Sequence, residues 1–398
     1  MKKITALPKY RDIKNGDIFE IKSQTNHFTH NFFKYPAKFI PEIAKWSIKN
    51  FSVERDYVLD CFAGSGTSLV EASLLKRRPL AIDFDPLSLL IIKSKTKKLK
   101  KNEVYIIRKH LNNIINKEPK RIFTPNLDNL KKWFPDKNIR QLSIIISNIN
   151  KFKKKDKNIY NFLAVCFASI IRKSSYADNT SPKPYISKRF PKEPGSPSDL
   201  FLKIVEKNIE KLQDNKFNLY YPVKIIGDDA RKMKKNIYKN QVQHILSSPP
   251  YINAFDYVRI TRLENLWLGN YTQEEIIDHK KKQIGTELIS ANSYNILPPK
   301  FGINELDKKI KSVFKIDKRR AWVVYQYFSD ISSNLQHSYE VLKSGGVYTI
   351  VVGDCIIRGE IFEIYKYLIV FAKRIGFKNK KYFSYLIKNP YLRIPRSG

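Results

Sequence analysis

Ser248-Pro249-Pro250-Tyr251 closes the apolar run His244-Ile245-Leu246 with a hydroxyl, two prolines and a phenol. The run itself reads as a buried strand. Consecutive prolines donate no backbone hydrogen bonds and hold φ near its polyproline value, so the chain leaves the sheet stiffly, with carbonyls and a polar side chain pointing outward. The tyrosine after them offers a face on which a planar group can stack. Acceptors beside a stacking ring suit a planar amine, such as the exocyclic amino group of a nucleobase taken out of its helix. A Pro-Pro after a strand serves equally as a plain loop exit, so the tetrapeptide needs support from elsewhere in the chain.

That support lies upstream. Val58-Leu59-Asp60-Cys61-Phe62-Ala63-Gly64-Ser65-Gly66-Thr67 runs from a short apolar strand through a glycine turn into the helix-like Leu69-Val70-Glu71-Ala72. This is the arrangement in which backbone amides approach a ligand at a helix N-terminus. The turn lacks the full dinucleotide fingerprint and, with no Gly-Lys-Ser/Thr, is not a P-loop. Pro79-Leu80-Ala81-Ile82-Asp83 reads as the next strand, ending in an acid placed to grip the hydroxyls of a ribose. Together these segments describe a nucleoside-binding half of a doubly wound sheet.

These motifs resemble those of the DNA amino-methyltransferases, enzymes that use S-adenosylmethionine to methylate the exocyclic nitrogen of cytosine or adenine. Phe62-Ala63-Gly64-Ser65-Gly66 is similar to their Phe-x-Gly-x-Gly motif, and Ser248-Pro249-Pro250-Tyr251 to their catalytic motif. His30 and Tyr35-Pro36-Ala37-Lys38-Phe39-Ile40-Pro41 resemble a segment that closes over the methionine end of the cofactor, and Asn253 to Arg259 resembles the stretch after the catalytic motif in one bacterial branch. The resemblance implies an α/β fold, a Rossmann-like methyltransferase sheet flanked by helices, with S-adenosylmethionine as cofactor and double-stranded DNA, base flipped, as partner. It implies that the Ser248 side chain and the Pro249 carbonyl, held by Pro250, accept from the amine while Tyr251 stacks on the base. On the same ground Asp60, Phe62, Ala63, Gly64, Ser65, Gly66 and Thr67 hold the cofactor with Asp83, and Tyr35 or Phe39 packs near the methyl donor. Tyr35 and Phe39 are equally good as ordinary core aromatics. Members with Ser at the first motif position are mostly cytosine-N4 enzymes, which gives N4-methylcytosine as the expected product; adenine-N6 transfer is the alternative. An RNA base methyltransferase and a non-catalytic DNA-binding protein are further alternatives. The setting implied is a prokaryotic restriction-modification or related system, with a cognate restriction endonuclease as partner and a cytoplasmic, nucleoid-associated location.

Composition agrees. With 74 Lys plus Arg against 37 Asp plus Glu, the formal charge is +37, the footprint of a polyanion binder. Cys61, Cys166 and Cys355 are widely separated, with neither a disulfide framework nor a metal-ligand spacing. No cysteine comes after a proline as a nucleophile for ring-carbon methylation would, which favours direct attack by an amine without metal or covalent intermediate. No span approaches membrane length and no signal-peptide core comes after Met1.

The remaining elements frame these motifs. Pro41 to Phe51 has the period of an amphipathic helix. Residues 1–98 read as the first part of the catalytic domain, 99–220 as a mainly helical insertion that could recognise the target, and 221–398 as the second part, with a further DNA-contacting insertion at 270–320. Within the insertion, Asn138 to Ile149 and Ile159 to Ile171 are helical, and Ser174 to Pro197 reads as a loop ordered poorly or only on nucleic acid. Val223 to Gly227 is a strand leading to Asp228 and Asp229. Asp229 either reads an adenine amino group, as the resemblance favours, or caps a helix. Arg259 and Arg262 contact phosphate or pair with Glu264. Val347 to Val352 is a buried strand, and Lys381 to Ile387 the end of a closing hairpin.

Overall fold

The computed structural model describes residues 2–4, 7–21, 27–36, 38, 40–214, 217–233, 238–252 and 256–386. Two short strands open the chain, β1 (Lys2–Ile4) and β2 (Asp17–Ile21), before helix α1 (Pro41–Phe51). Proline at the first turn of α1 gives up an amide that has no partner there anyway. Its Ile43, Ala44, Trp46 and Ile48 are buried on one face, and the helix packs on the helix after the glycine turn and on the strand that ends at Ser247.

The central sheet comprises β3 (Tyr57–Asp60), β4 (Arg78–Ile82), β5 (Lys224–Gly227), β6 (Val242–Ser247) and β7 (Leu342–Ile350), in the order β5-β4-β3-β6-β7. All four pairings are parallel. Helix α2 (Thr67–Leu74) joins β3 to β4, and α3 (Pro86–Lys95) comes after β4. Val58, Leu59, Leu80, Val242 and Ile245 are all fully buried, as expected of parallel strands covered on both faces. β7 takes up Gly345 and Gly346, which the sequence places before the strand; a register shift lets Val242 pair with Leu342 but His244 with Val347. A Cβ at Gly346 would lie 2.9 Å from the Lys343 carbonyl, so the bulge needs glycine there.

The C-terminal strand departs from the expected hairpin. β8 (Cys355–Ile357) and β9 (Glu360–Phe362) form an antiparallel pair, whereas β10 (Phe383–Tyr385) runs parallel to β2. Phe383 packs there on Phe19 and Trp46, an apolar seat that alternation along the segment does not reveal.

Between β4 and β5 the chain forms α4 (Lys101–Asn116) and helices at Asp136–Asn150, Lys157–Ile171 and Pro197–Gln213. Their apolar faces share one core with Val70 of α2 and with Leu87, Leu90 and Ile91 of α3. The loop before Pro197, expected to be poorly ordered, is pinned at its neck: Asn138 Nδ2 donates to the Ser174 and Gly195 carbonyls at 2.9 and 3.1 Å. A second core lies under the helices Asn304–Ile316, Lys318–Val341 and Ile364–Ile375. No helix among the described residues is long and apolar enough to cross a membrane.

Candidate active site

Strand order reverses between β3 and β6, since the chain moves outward through β4 and β5 on one side and through β7 on the other. At such a switch point the loops leaving the carboxyl ends of the strands splay apart and leave a crevice. A solvent-open cleft of about 790 Å³ sits there. Its wall is built from the ends of β3, β4, β5 and β6, together with Tyr35, Pro36 and Lys38 from the segment before α1.

The turn after β3 supplies Phe62, Ala63, Gly64, Ser65 and Thr67 to this wall. Gly64 (φ +49°) and Gly66 (φ +73°) both take the left-handed conformation. Gly66 caps α2 and does not itself line the cleft; a Cβ there would lie 3.0 Å from Ile92. At Gly64 a Cβ would lie 3.3 Å from the Tyr35 ring. Gly64→Ala is therefore expected to cost about 1–3 kcal/mol through the backbone conformation and to push Tyr35 outward. Thermal melts and cofactor titration check this: a wild-type cofactor affinity in the variant would contradict it.

Two acids stand after β4, and the structure separates their duties. Asp85 caps α3, accepting from the Leu87 amide at 3.0 Å, and receives the Asn265 amide at 3.0 Å. Asp83 lines the cleft and accepts from the amides of Gly64 at 2.6 Å and Asp85 at 2.9 Å. Burial, and then the neighbouring Asp85, push the Asp83 carboxyl up to about 7 despite those two bonds. Asp229 also faces the cleft, but both its oxygens are held by Arg231, at 2.9 Å to Nε and 3.1 Å to Nη2, and this partner keeps its pKa low against burial. It accepts the Arg231 amide in a turn. Exposed Asp228 beside it, which sequence reasoning passed over, lines the cleft too.

Asp60, expected among the cofactor's ligands, is turned into the protein instead. It is 1% exposed, and its carboxylate accepts from Ser68 Oγ, from Ser247 Oγ at 2.7 Å and from the Phe62 amide at 3.1 Å. Ser247 Oγ in turn accepts the Cys61 amide at 2.6 Å. Asp60 thus fastens the end of β3 to α2 and to the last residue of β6. Cys61 does line the cleft, but burial and then Asp60 push its thiol up to about 12, so it offers no thiolate.

Ser248 and Pro250 face the cleft directly behind β6. Pro249 is buried. The Tyr251 ring lies against Gly353, where a Cβ would come within 3.3 Å of Cε1. Tyr251 is therefore held beside the cleft and is not part of its wall. Arg262 lies over the Trp133 ring at 5.4 Å, and Glu264 faces Arg172 at 3.9 Å instead of pairing with Arg262. Phe39, and Asn253 to Phe255 of the segment after the tetrapeptide, lie outside the described residues. Lys38 and Tyr257, read in the sequence only within their segments, also line the wall, as do Lys282 and Ile284, to which sequence reasoning gives no individual role. Tyr257 stacks on Tyr35 with ring centroids 6.4 Å apart and planes 19° apart, a pairing across more than two hundred residues that local pattern cannot show.

The DNA methylase family model, that of the N6 and N4 methyltransferases, matches residues 2–94, the stretch that carries Tyr35, the glycine turn and Asp83. The Type II methyltransferase M.MvaI of Kocuria varians is 24% identical over 381 residues, covering 85% of this chain and 80% of the relative. In these matches the chain is similar to the DNA methylases. M.BsoBI of Geobacillus stearothermophilus, also a Type II methyltransferase, is 20% identical over 438 residues, covering 96% and 85% of the two chains. M.MjaII of Methanocaldococcus jannaschii, of the same designation, is 29% identical over 135 residues, covering 34% and 23%.

DNA methylases of this family use S-adenosylmethionine, and the cleft has a donor set that fits it. Asp83, a cleft acid without a cationic partner among the described residues, suits ribose hydroxyls, and the glycine turn brings backbone close. Lys38, half-buried and without a carboxylate partner among the described residues, suits an anion.

Proposed function

We propose that the protein methylates the N4 amine of a cytosine flipped out of double-stranded DNA at a specific sequence, as one half of a restriction-modification pair. The observation that carries this is the position of Ser248 and Pro250 on the cleft wall, across the strand switch point from the glycine turn and Asp83. Bound S-adenosylmethionine supplies an activated methyl group on a sulfonium. The protein's own contribution is to hold the amine. Its lone pair is delocalised into the ring, so acceptors for its N–H bonds, the Ser248 hydroxyl and the Pro249 carbonyl, favour a pyramidal and more nucleophilic nitrogen. Pro249 and Pro250 keep those acceptors fixed, and positioning accounts for most of the rate. Tyr251, braced on Gly353, presents a ring face to the extruded base and offsets part of its unstacking. Serine at the first motif position favours cytosine, and the relatives designated Type II methyltransferases favour site-specific action. In this reading the helical region 99–220 and the segment 270–320, which gives Lys282 and Ile284 to the wall, read the target.

Transfer of labelled methyl groups to unmethylated DNA, with nucleoside mass spectrometry of the product, is expected to yield N4-methylcytosine. N6-methyladenine would overturn the base assignment, and label confined to RNA the substrate.

Asp83 adds a pH dependence. Its folded pKa of about 7 lies above the ordinary carboxylate range, so between roughly pH 4 and 7 the folded cofactor-free protein holds a proton that the unfolded chain has released. Its contribution to stability is therefore fully present below the unfolded pKa and is lost as pH rises toward 7. Ribose hydroxyls and a cationic ligand favour the ionised form, so cofactor binding near pH 6.5 should release a proton and weaken as pH falls below 7. Calorimetry in buffers of different ionisation heat reads this directly, and proton uptake on binding would refute it.

A further inference from the structure

Outside the cleft the structure gathers His27, His30 and Glu71, whose ligand-type atoms all lie within 4.8 Å of one another. Glu71 stands on α2, one turn beyond the glycine turn; the two histidines belong to the segment that carries Tyr35 and Lys38. His30 Nε2 lies 2.8 Å from Glu71 Oε1 and His27 Nε2 3.7 Å from the same oxygen. The side chains of Glu71 and His30 are 4% and 1% exposed. Burial raises the Glu71 carboxyl, but the His30 bond and the nearby His27 outweigh it and leave it at about 2. Burial takes His30 down to about 4 against the pull of Glu71. At neutral pH a buried carboxylate therefore accepts from neutral imidazole N–H. Buried Lys95 also faces this group, and its Nζ donates to the Ser65 carbonyl at 2.6 Å.

The chain of contacts continues into the cleft. Lys38 Nζ donates to the His30 carbonyl at 2.8 Å. Lys38 lines the cleft, and its charged neighbours are cations, Lys95 and Lys211. Its nearest charged neighbours being lysines, and no carboxylate pairing with it among the described residues, this cleft ammonium suits an anion; of the acids on the wall, Asp83 is held by backbone amides and Asp229 by Arg231. We infer that His27 and His30, by gripping Glu71, are positioning residues that set Lys38 in the cleft to receive the carboxylate of S-adenosylmethionine. The inference rests on the cleft being the cofactor site.

The test compares two nucleosides on the full chain, S-adenosylhomocysteine, which has the carboxylate, and methylthioadenosine, which lacks it. The wild type should prefer the first, and Lys38→Met should reduce that preference by about tenfold or more. Glu71→Gln and His30→Gln should reduce it in the same way, with methylthioadenosine affinity unchanged, and Lys38→Met added to Glu71→Gln should reduce it little further. His27→Gln, at a partly exposed position, gives a milder form of the same result should either buried variant fold poorly. Equal loss of affinity for both ligands would reduce the trio to a structural role, and an unchanged preference in Glu71→Gln and His27→Gln would sink the inference. Stoichiometric Zn²⁺ binding that Glu71→Gln abolishes would replace it with a metal site. Wild-type protein that binds neither nucleoside would remove the cofactor assignment of the cleft itself, a different failure.

Discussion

Ser248→Ala is expected to slow methyl transfer by about 10²–10³-fold, the usual effect of removing one preorganised hydrogen-bonding group from a reacting centre. Its cofactor affinity should stay within about twofold of wild type, because an acceptor for the amine acts on the reacting base and not on the cofactor. The side chain is half-buried and its backbone is set by β6 on one side and by Pro249 on the other, so alanine leaves no cavity and little strain. Tyr251, seated on Gly353, keeps its place without the hydroxyl. Single-turnover rates at saturating cofactor and DNA isolate the chemical step. Tyr251→Phe removes the phenol but keeps the stacking face, so its rate should fall far less. A Ser248→Ala enzyme with an unchanged single-turnover rate would leave Pro249 as the sole acceptor and defeat the mechanism.

What the sequence discloses and what it conceals divide along physical lines. The stretch Pro41 to Phe51 is legible as a helix because proline at its start and an apolar stripe of period 3.6 are both local signals, and the structure gives α1 those same bounds. The glycine turn and the proline exit are legible because left-handed backbone and missing donors restrict which residues can stand there. His244 sits in an apolar strand and is fully buried, bonded to Ser47 and to the Val347 carbonyl, so it belongs to the sheet and not to the chemistry. Partnerships between distant segments are not legible. Nothing near Asp60 announces that Ser247 will meet it, nothing near Glu71 announces two histidines from the opening segment, and nothing in the segment around Lys282 announces that it closes the cleft wall. The same holds for β10: alternation identifies a strand, but its neighbour β2 lies at the other end of the chain.

Asp60→Ala is the second large effect expected, and it should act on both stability and rate. The substitution leaves the Ser68 and Ser247 hydroxyls and the Phe62 amide without their buried acceptor, which costs about 3 kcal/mol or more and should lower the melting temperature by several degrees. Cofactor titration should show a smaller change, since Asp60 does not line the cleft. The rate should suffer more, because Ser247 immediately precedes Ser248 and its hydroxyl links the Cys61 amide to Asp60 across the switch point. Once that link is gone, the end of β6 is free to shift against the glycine turn. A shift of about 1 Å at a reacting centre is enough to cost about 10²-fold in rate. Ser247→Ala is the gentler companion: it removes the bridge but leaves Asp60 its bonds to Ser68 and Phe62. It should therefore retain most of the stability while losing much of the rate. If instead Asp60→Ala lost cofactor affinity in proportion to its rate, with Ser247→Ala unaffected, Asp60 would act on the ligand and the bridge would be incidental.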